Sequence, residues 1–309
     1  MFEMMLALKR KQSGGRPGPV IPDPPVDIAS SGSAMVYIDN TVYIMGGVNN
    51  SGTRLRNLTS YNTDTGIWSN LATIPAAVAE VNYARAVAIN NDIWMFPPAK
   101  ASVGVIAVYN VTTGTWRTLP NTSVSGINTT MGVATDGSRY VWAIGGSGGA
   151  GIGGKLLQVY DIQTNDWVRL PDAANARNYG TITYCNGKLY VQGAPAVDVM
   201  DYLNVYDIPT GQWEPNPVSS RPRLDATVLV TVGNKIVSLT GFQGQLAPVE
   251  VYVYDTGTGD TYSPGKIPLA RFFSYGCSTG TKVWYAGGNG GTPAITKDRM
   301  LALTTYVID

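Results

Sequence analysis

Four arginines stand where a polar segment gives way to an apolar, strand-like run. They lie in the pairs Ala84-Arg85, Ala176-Arg177, Pro222-Arg223 and Ala270-Arg271. Aromatic side chains accompany them at Tyr83, Tyr179, Phe272 and Phe273. A planar guanidinium group binds a carboxylate through two parallel hydrogen bonds, and an aromatic ring stacks on a sugar or a peptide group. These residue types therefore predict a binding site for an anionic ligand.

The elements that must position these arginines repeat six times along the chain. An apolar run ends in a small or turn residue at positions 46, 97, 145, 193, 241 and 287. A second mark lies about half a period later, where a tyrosine precedes Asn or Asp, at Tyr61, Tyr109, Tyr160, Tyr206 and Tyr254. A period of roughly 40 to 50 residues with four short strands per unit is typical of propeller blades. Because one small sheet cannot bury its own faces, we expect the tyrosines and tryptophans to pack between blades.

Together the marks resemble the kelch family, from about Ser33 to Asp309. The resemblance rests on the apolar run ending in Gly-Gly, the Tyr-Asp or Tyr-Asn pair, a tryptophan about six residues later, and Leu-Pro or Ile-Pro, as at Ile74-Pro75. It implies an all-β, six-bladed kelch-type propeller with four-stranded blades. The blades are expected at roughly 33–75, 84–120, 130–171, 179–217, 225–264 and 272–309.

The resemblance also gives the arginines a place and a role. Several kelch domains recognise acidic partners with arginines at the entrance to the innermost strands. It therefore implies that Arg85, Arg177, Arg223 and Arg271 point toward the mouth of the central channel and bind an anionic glycan or an acidic peptide. The alternative is that these arginines bond loop carbonyls and tie neighbouring blades together.

Ring closure and the N-terminal segment form a separate prediction. The sixth repeat reaches only a third-strand pattern at 301–309, so we expect a segment around 25–29 to supply the outer strand of the last blade. Residues 24–309 then form the propeller and residues 1–23 an arm. The arm would be anchored in another protein subunit, or folded back on its own propeller, through Phe2, Met4, Met5, Leu6 and Leu8.

This arm, followed by Gly-Gly and Pro, is similar to the attachment arms of bacteriophage tail and fibre proteins. That similarity implies a virion protein, made in the host cytoplasm, that displays a propeller face to a host-surface receptor. Outside a virion, a cytoplasmic location is expected, because the apolar residues 1–8 precede Lys9-Arg10-Lys11, the reverse of a secretory signal.

Composition narrows the class of function. The chain of 309 residues has 36 glycines, 19 prolines and only 14% charged residues, which suits an all-β domain dense in turns. A net charge of +1 gives no support for nucleic-acid binding, and no apolar run is long enough for membrane insertion. Cys185 and Cys277 are separated by a whole blade, so they are expected to be buried and unpaired.

Catalysis is the competing class. The chain has no histidine, which excludes the copper-radical oxidases that share this architecture, His-dependent triads and zinc sites of the usual type. We expect no metal, no cofactor and no catalytic residue. Residues 62–68 resemble the Asp-box turn of sialidases, although a turn between strands explains them equally well. The alternative enzyme is a kelch-type sugar-converting enzyme such as a sialic-acid mutarotase, for which Glu80 and Glu250 are the candidate carboxylates. A third alternative is a structural subunit that contacts neighbours through both faces.

Overall fold

A computed structural model shows an all-β protein. It describes residues 15–18, 21, 31–49, 51–79, 81–96, 104–121, 132–145, 154–174, 180–193, 201–215, 218–221, 227–241, 249–268, 271–272, 274–290 and 304–308. No helix occurs in these ranges. None of them therefore holds a helical segment that is long and apolar enough to cross a membrane.

Six antiparallel sheets follow one another around the molecule, each ordered from the centre outward. The chain first forms strand β1 (Gly15–Pro17). Blade one contains β2 (Ala34–Ile38), β3 (Thr41–Met45), β4 (Leu58–Asn62) and β5 (Trp68–Asn70). Blade two contains β6 (Arg85–Ile89), β7 (Asp92–Phe96), β8 (Gly104–Asn110) and β9 (Thr115–Asn121). Blade three contains β10 (Gly132–Thr135), β11 (Tyr140–Ile144), β12 (Leu157–Asp161) and β13 (Asp166–Arg169).

The second half of the ring repeats the pattern with two variations. Blade four contains β14 (Thr181–Cys185), β15 (Lys188–Gln192), β16 (Asp201–Asp207) and a split outer strand, β17 (Gln212–Trp213) and β18 (Val218–Arg221). Blade five contains β19 (Val228–Val232), β20 (Lys235–Leu239), β21 (Glu250–Asp255) and β22 (Thr261–Lys266). A two-stranded pair, β23 (Arg271–Phe272) and β26 (Asn289–Gly290), flanks blade six. Blade six itself contains β24 (Tyr275–Thr279), β25 (Lys282–Ala286), β27 (Thr304–Ile308) and β1.

The blades form a closed ring around a central channel. The innermost strands β2, β6, β10, β14, β19 and β24 contact one another in that order, and β24 contacts β2 again. This confirms the predicted six-bladed propeller of four-stranded blades. Apolar clusters lie between neighbouring blades, for example Val36 and Leu58 of blade one with Met95 of blade two.

The repeated tyrosines and tryptophans pack in pairs within the blades. The ring centroids are 4.9 Å apart for Tyr61 and Trp68, and 5.3 Å apart for Tyr206 and Trp213. Trp213 also donates its indole N–H to the carbonyl oxygen of Pro171 in the preceding connection, at 2.9 Å. These residues therefore hold neighbouring blades together, as the repeat pattern predicts.

The Asn or Asp after each repeated tyrosine closes the turn between the third and fourth strands. Asn110 Oδ1 accepts from the Thr113 N–H, and Asp207 Oδ1 from the Thr210 N–H, both at 2.9 Å. A residue with positive φ follows, such as Gly114 at 69°. In blade one, Asn62 makes the same bonds to the N–H groups of Asp64 and Thr65, at 3.0 and 2.9 Å. The segment that resembles a sialidase Asp-box is thus accounted for by turn geometry.

These turns predict an acid-dependent loss of stability. The Thr210 N–H holds the pKa of Asp207 below its ordinary value of 3.8, so the unfolded chain binds the proton first. The resulting stabilisation is present above about pH 3.8 and is lost as the pH falls through the folded pKa. Asp207→Asn should retain the turn, since Asn fills this place in blades one and two, and should flatten the fall in melting temperature between pH 5 and pH 3. Asp207→Ala should instead lower the melting temperature at every pH. An unchanged pH profile in Asp207→Asn would contradict the assignment.

The N-terminal side of the chain supplies the outer strand of the last blade, as predicted, but from an earlier position. Strand β1 pairs antiparallel with β27, with Gly15 opposite Ile308 and Pro17 opposite Tyr306. The closing strand therefore lies inside the segment 1–23 that the sequence interpretation gives to the arm. The segment 25–29 lies outside the described residues, as do the predicted anchor residues Phe2, Met4, Met5, Leu6 and Leu8.

Steric fit explains why a Gly-Arg-Pro segment closes the ring. A Cβ atom on Gly15 would lie 2.6 Å from Tyr306 Cε1 and 2.9 Å from Pro264 Cβ of blade five. Tyr306 is fully buried, so it has little room to retreat. Ile21 then inserts between blades six and one, next to Met35 and Trp284. Together, β1 and Ile21 form a clasp that joins the last blade to the first.

Both cysteines lie on innermost strands, Cys185 on β14 and Cys277 on β24. Each is buried and carries a free thiol, in separate apolar clusters. Burial raises the pKa of both thiols, which keeps them protonated. This agrees with the prediction of two unpaired, buried cysteines.

Candidate functional site

The Gly-Gly mark of blade one fixes the connection that leads to Arg85. Gly46 and Gly47 have φ angles of 68° and 87°, and the Gly47 N–H donates to the Val81 carbonyl oxygen at 2.8 Å. A Cβ atom on Gly46 would lie 2.5 Å from that oxygen. Glycine is therefore required both for the left-handed backbone and for the close approach.

The same connection then delivers Tyr83 and Arg85 to the entrance of the innermost strand of blade two. The Tyr83 N–H donates to the Gly32 carbonyl oxygen at 2.8 Å, and Tyr83 has a φ of 60°. Left-handed backbone is unusual for a bulky residue and is often found at functional sites. Ala84 is fully buried, and Arg85 opens β6 opposite Phe96. Tight packing of this short connection therefore sets where the Arg85 side chain emerges.

Arg85 lies in the mouth of the central channel, where the innermost strands of all six blades begin. The mouth is a cavity of about 110 Å³. Hydroxyl-bearing residues and glycines share its lining with Arg85: Ser33, Gly132, Thr181, Thr227, Ser274 and Gly276. At about 30 Å³ per water, this space holds roughly four waters. It therefore admits a carboxylate group, while the rest of a larger ligand would lie outside on the loops.

The hydroxyl groups at the mouth make bonds that hold the rim in shape. Ser33 and Ser274 occupy equivalent positions and donate to the carbonyl oxygens of Gly46 and Gly287, at 3.0 and 3.2 Å. The hydroxyl oxygens of Thr181 and Thr227 lie 3.1 Å apart across the boundary between blades four and five. Sequence reasoning did not identify these four residues. The signal available was a Ser or Thr at the first position of an innermost strand or immediately before it, in four of the blades.

The electrostatics of the mouth are dominated by Arg85. It is the one charged residue lining the cavity in the part of the chain that the structure describes. Among the described residues, its guanidinium makes one long hydrogen bond, 3.4 Å from Nη1 to the Ala84 carbonyl oxygen. Dense surroundings lower the pKa of Arg85, an effect partly offset by the nearby Tyr83, while the residue keeps part of its surface exposed. This half-buried cation lacks a carboxylate partner within the described ranges, and an incoming anion would supply one.

The other predicted residues of the site are described only in part. Arg177, Arg223, Tyr179 and Phe273 lie outside the described residues. The backbone of Arg271 and Phe272 forms β23, which pairs with β26 immediately before blade six. The structure therefore places Arg85 at the mouth and Tyr83 near Arg85, outside the lining of the cavity. The joint contribution of the four arginines stays a prediction.

The carboxylates considered for catalysis do not meet Arg85 in the described ranges. Glu250 lies at the start of β21 and pairs with Lys266, with Oε1 and Nζ 3.2 Å apart. The hydrogen bond from Lys266 lowers the pKa of Glu250. Glu80 lies outside the described residues. Where the chain is described, no three acidic, cysteine or histidine side chains gather in a way that would hold a metal ion.

The mouth and the start of β1 lie on opposite faces of the disc. Arg85 and the Gly-Gly turns define the loop face, where the second and fourth strands end. The turns between first and second strands and between third and fourth strands define the turn face. Gly15 pairs with Ile308, whose N–H donates to the Thr281 carbonyl oxygen in such a turn. The chain therefore enters β1 at the rim of the turn face, away from Arg85.

Comparison with known proteins agrees with this geometry. A family model described as "KLHDC2/KLHL20/DRC7 Kelch-repeats domain" matches residues 32–241, more than half of the chain. The chain belongs to the kelch-repeat family. Its architecture is accordingly that of a protein-binding module.

Individual similarities are distant. The chain is 23% identical over 188 residues to "Kelch domain-containing protein" from Sulfurisphaera tokodaii, covering 59% of this chain and 25% of that protein. It is 22% identical over 265 residues to "Kelch-like protein terF" from Aspergillus terreus, covering 76% of this chain and 56% of that protein. The kelch chain thus matches between a quarter and just over half of these relatives' lengths.

A solved structure supports the fold at full length. "Structure of YjhT" superimposes with a TM-score of 0.68 at 15% identity, covering 93% of this chain and 96% of that one. At this identity the similarity establishes a shared propeller fold and leaves the ligand of the kelch chain open.

Proposed function

We propose that this kelch propeller is a non-enzymatic binding module that takes an anionic group of its partner into the channel mouth. The partner's carboxylate, from an acidic peptide or an anionic glycan, is held by Arg85. The observation that carries the proposal is the half-buried Arg85 guanidinium. Among the described residues it makes only a 3.4 Å bond to a carbonyl oxygen, and the other described residues that line the mouth are uncharged. Tyr83 beside it offers a ring for the neutral part of the ligand.

We further propose that the N-terminal arm attaches the propeller to other protein subunits in a larger assembly, such as a bacteriophage particle. What supports this is the composition of residues 1–14 and the entry of the chain into β1 on the turn face. An arm that leaves on that face keeps the loop face exposed to a receptor. Isolation of the protein with and without residues 1–14 from its native particle tests this part: loss of the large complex supports it, and equal behaviour of the two forms contradicts it.

Titration with two probes tests the binding role of Arg85. Hexaglutamate and sialyllactose each supply carboxylates, and neutral lactose serves as the uncharged comparison. Arg85→Ala should weaken binding of the anionic probe that the protein prefers by at least tenfold, because a hydrogen bond to a charged group contributes about 1.5 to 3 kcal/mol. The melting temperature should change little.

The matched control is Arg169→Ala, which removes a positive charge from the outer strand of blade three, where Arg169 pairs with Asp172 at 2.8 Å. It should leave affinity unchanged. If Arg85→Ala lowers the melting temperature while affinity stays the same, Arg85 is a structural tie between blades. Turnover of sialic acid anomers that depends on Arg85 would instead favour the enzyme.

A further inference from the structure

A second cavity occupies the opposite end of the channel. Its volume is about 270 Å³, more than twice that of the mouth. It is lined by the innermost strands of all six blades, and none of the described residues that line it carries a charge. One equivalent position from each blade forms a ring around it: Tyr37, Ala88, Thr135, Tyr184, Thr231 and Ser278.

The polar character of this cavity comes from the edges of the innermost strands. Each of these strands pairs on one side only, so its other edge faces the channel. Along such an edge, a residue that directs its carbonyl inward directs its N–H inward too. Buried backbone groups of this kind require partners from side chains, water or a ligand.

At two of the six boundaries between blades, side chains supply those partners. Thr231 Oγ1 donates to the Tyr184 carbonyl oxygen at 2.8 Å, and Ser278 Oγ donates to the Thr231 carbonyl oxygen at 2.6 Å. Each bond links one blade to the next at the same position. Blades four, five and six are thereby joined by a chain of hydroxyl-to-carbonyl bonds.

The other four boundaries lack this chain. Ala88 has no hydroxyl to offer, Tyr37 directs its hydroxyl to Asn40 Oδ1, and Thr135 donates to the Tyr140 carbonyl oxygen. Among the described residues, no bond of the inter-blade kind reaches the carbonyl oxygens of Ser278, Tyr37, Ala88 or Thr135. These parts of the cavity wall therefore present backbone donors and acceptors to whatever fills the cavity.

The chemistry of the lining selects among ligands. A charged ligand would lose its hydration without meeting an opposite charge, which is costly. A hydroxyl group can donate to a strand carbonyl and accept from the adjacent N–H. Tyr37 and Tyr184 belong to blades one and four, on opposite sides of the six-bladed ring, and both line the cavity. Tyr184 stacks one face of its ring on Trp142, with the ring centroids 5.6 Å apart. At about 30 Å³ per water, the cavity holds roughly nine waters, room for one pyranose.

We propose that the turn-face end of the channel is a second ligand site, which binds a small neutral polyhydroxy ring of the size of a monosaccharide. The site adjoins the Arg85 mouth and shares lining residues with it, such as Met35, Ile182 and Leu229, but Arg85 itself does not line it. The proposal therefore does not depend on the anion-binding role. Its ligand enters from the turn face, the face at which the chain enters β1.

Ligand-observed NMR on the full chain tests the proposal. The probes are D-glucose, D-galactose and N-acetyl-D-glucosamine, with D-glucosamine and D-glucuronate as matched rings that carry a positive and a negative charge. At least one neutral probe should show saturation transfer and bind at least tenfold more tightly than both charged rings. Ala88 lines the cavity and also packs against the apolar cluster between blades one and two. Ala88→Leu should weaken that binding at least tenfold, and Ala88→Val should do so to a smaller extent with the melting temperature retained. Arg85→Ala should leave the signal in place.

Several outcomes would overturn it. One is the absence of saturation transfer from every neutral probe at roughly 50 mM, a concentration near the weak-binding limit. Another is that the charged rings bind as tightly as the neutral ones. The others are unchanged affinity in both Ala88 variants when they fold, and loss of the signal in Arg85→Ala. The last result would place the sugar at the mouth.

Discussion

Removing residues 1–21 should destabilise the propeller severely, whereas removing residues 1–14 should leave its stability unchanged. A chain that begins at Pro22 lacks β1 and Ile21, the two parts of the clasp. Burial of one isoleucine side chain is worth about 1.5 to 3 kcal/mol, and each backbone hydrogen bond lost from β27 about 0.5 to 1.5 kcal/mol. The loss of about 4 kcal/mol or more is a large share of the roughly 5 to 15 kcal/mol that stabilises a typical domain.

Thermal and denaturant unfolding of the two shortened chains measures this directly. The chain that begins at Gly15 is the matched control, since it keeps the clasp and loses the rest of the arm. The longer deletion should lower the melting temperature by roughly 6 °C or more. Equal melting temperatures for the two would show that β1 does not close the ring. The same comparison matters for any assay of attachment to other subunits. A chain that begins at Pro22 lacks both the arm and the strand that closes the ring, so a failure to attach could come from either loss.

Gly46→Ala should strongly destabilise the loop face. The new Cβ would lie 2.5 Å from the Val81 carbonyl oxygen, and the φ of 68° is unfavourable for alanine. The left-handed backbone costs about 1 to 2 kcal/mol, and the steric conflict adds about 1 to 3 kcal/mol. Since Val81 begins the connection to Arg85, the variant should also weaken anion binding.

Gly52→Ala separates the two contributions. Gly52 has a similar φ of 80°, and a Cβ atom there meets nothing within 4 Å. Gly52→Ala should therefore lower the free energy of unfolding only by the cost of left-handed backbone, about 1 to 2 kcal/mol, and should leave anion binding intact. Denaturant unfolding of the pair, with hexaglutamate titration of each, distinguishes them. Similar losses of stability in both variants would mean that the contact between Gly46 and Val81 is unimportant.

Much of the fold follows from the sequence because its determinants are periodic. The Gly-Gly marks specify positive φ and close approach at Gly46 and Gly47, and the Tyr61 and Trp68 type of pair specifies packing within and between blades. Both features act locally in every repeat, so six imperfect copies reinforce one another. The placement of Arg85 follows as well, since its distance from the Gly-Gly turn fixes the entrance to an innermost strand.

Other features escape such reasoning because they arise only on ring closure. Strand β1 is a three-residue Gly-Arg-Pro segment with no alternation of apolar residues, and its fit depends on Tyr306 and Pro264, far away in the chain. The cavity at the turn face likewise depends on which blade places Ala88 or Thr231 beside its neighbour. No local pattern carries that information.

The most direct test of the anion-binding mouth is the NMR signal of the Arg85 side chain during titration. The Nε–Hε resonance, assigned by its absence in Arg85→Lys, reports on the hydrogen bonding of that one guanidinium. Addition of hexaglutamate or sialyllactose should shift this resonance in a saturable way, with the same midpoint as binding measured by calorimetry, while lactose should not shift it. Saturable binding of an anionic probe with no change in the Arg85 signal would contradict the account.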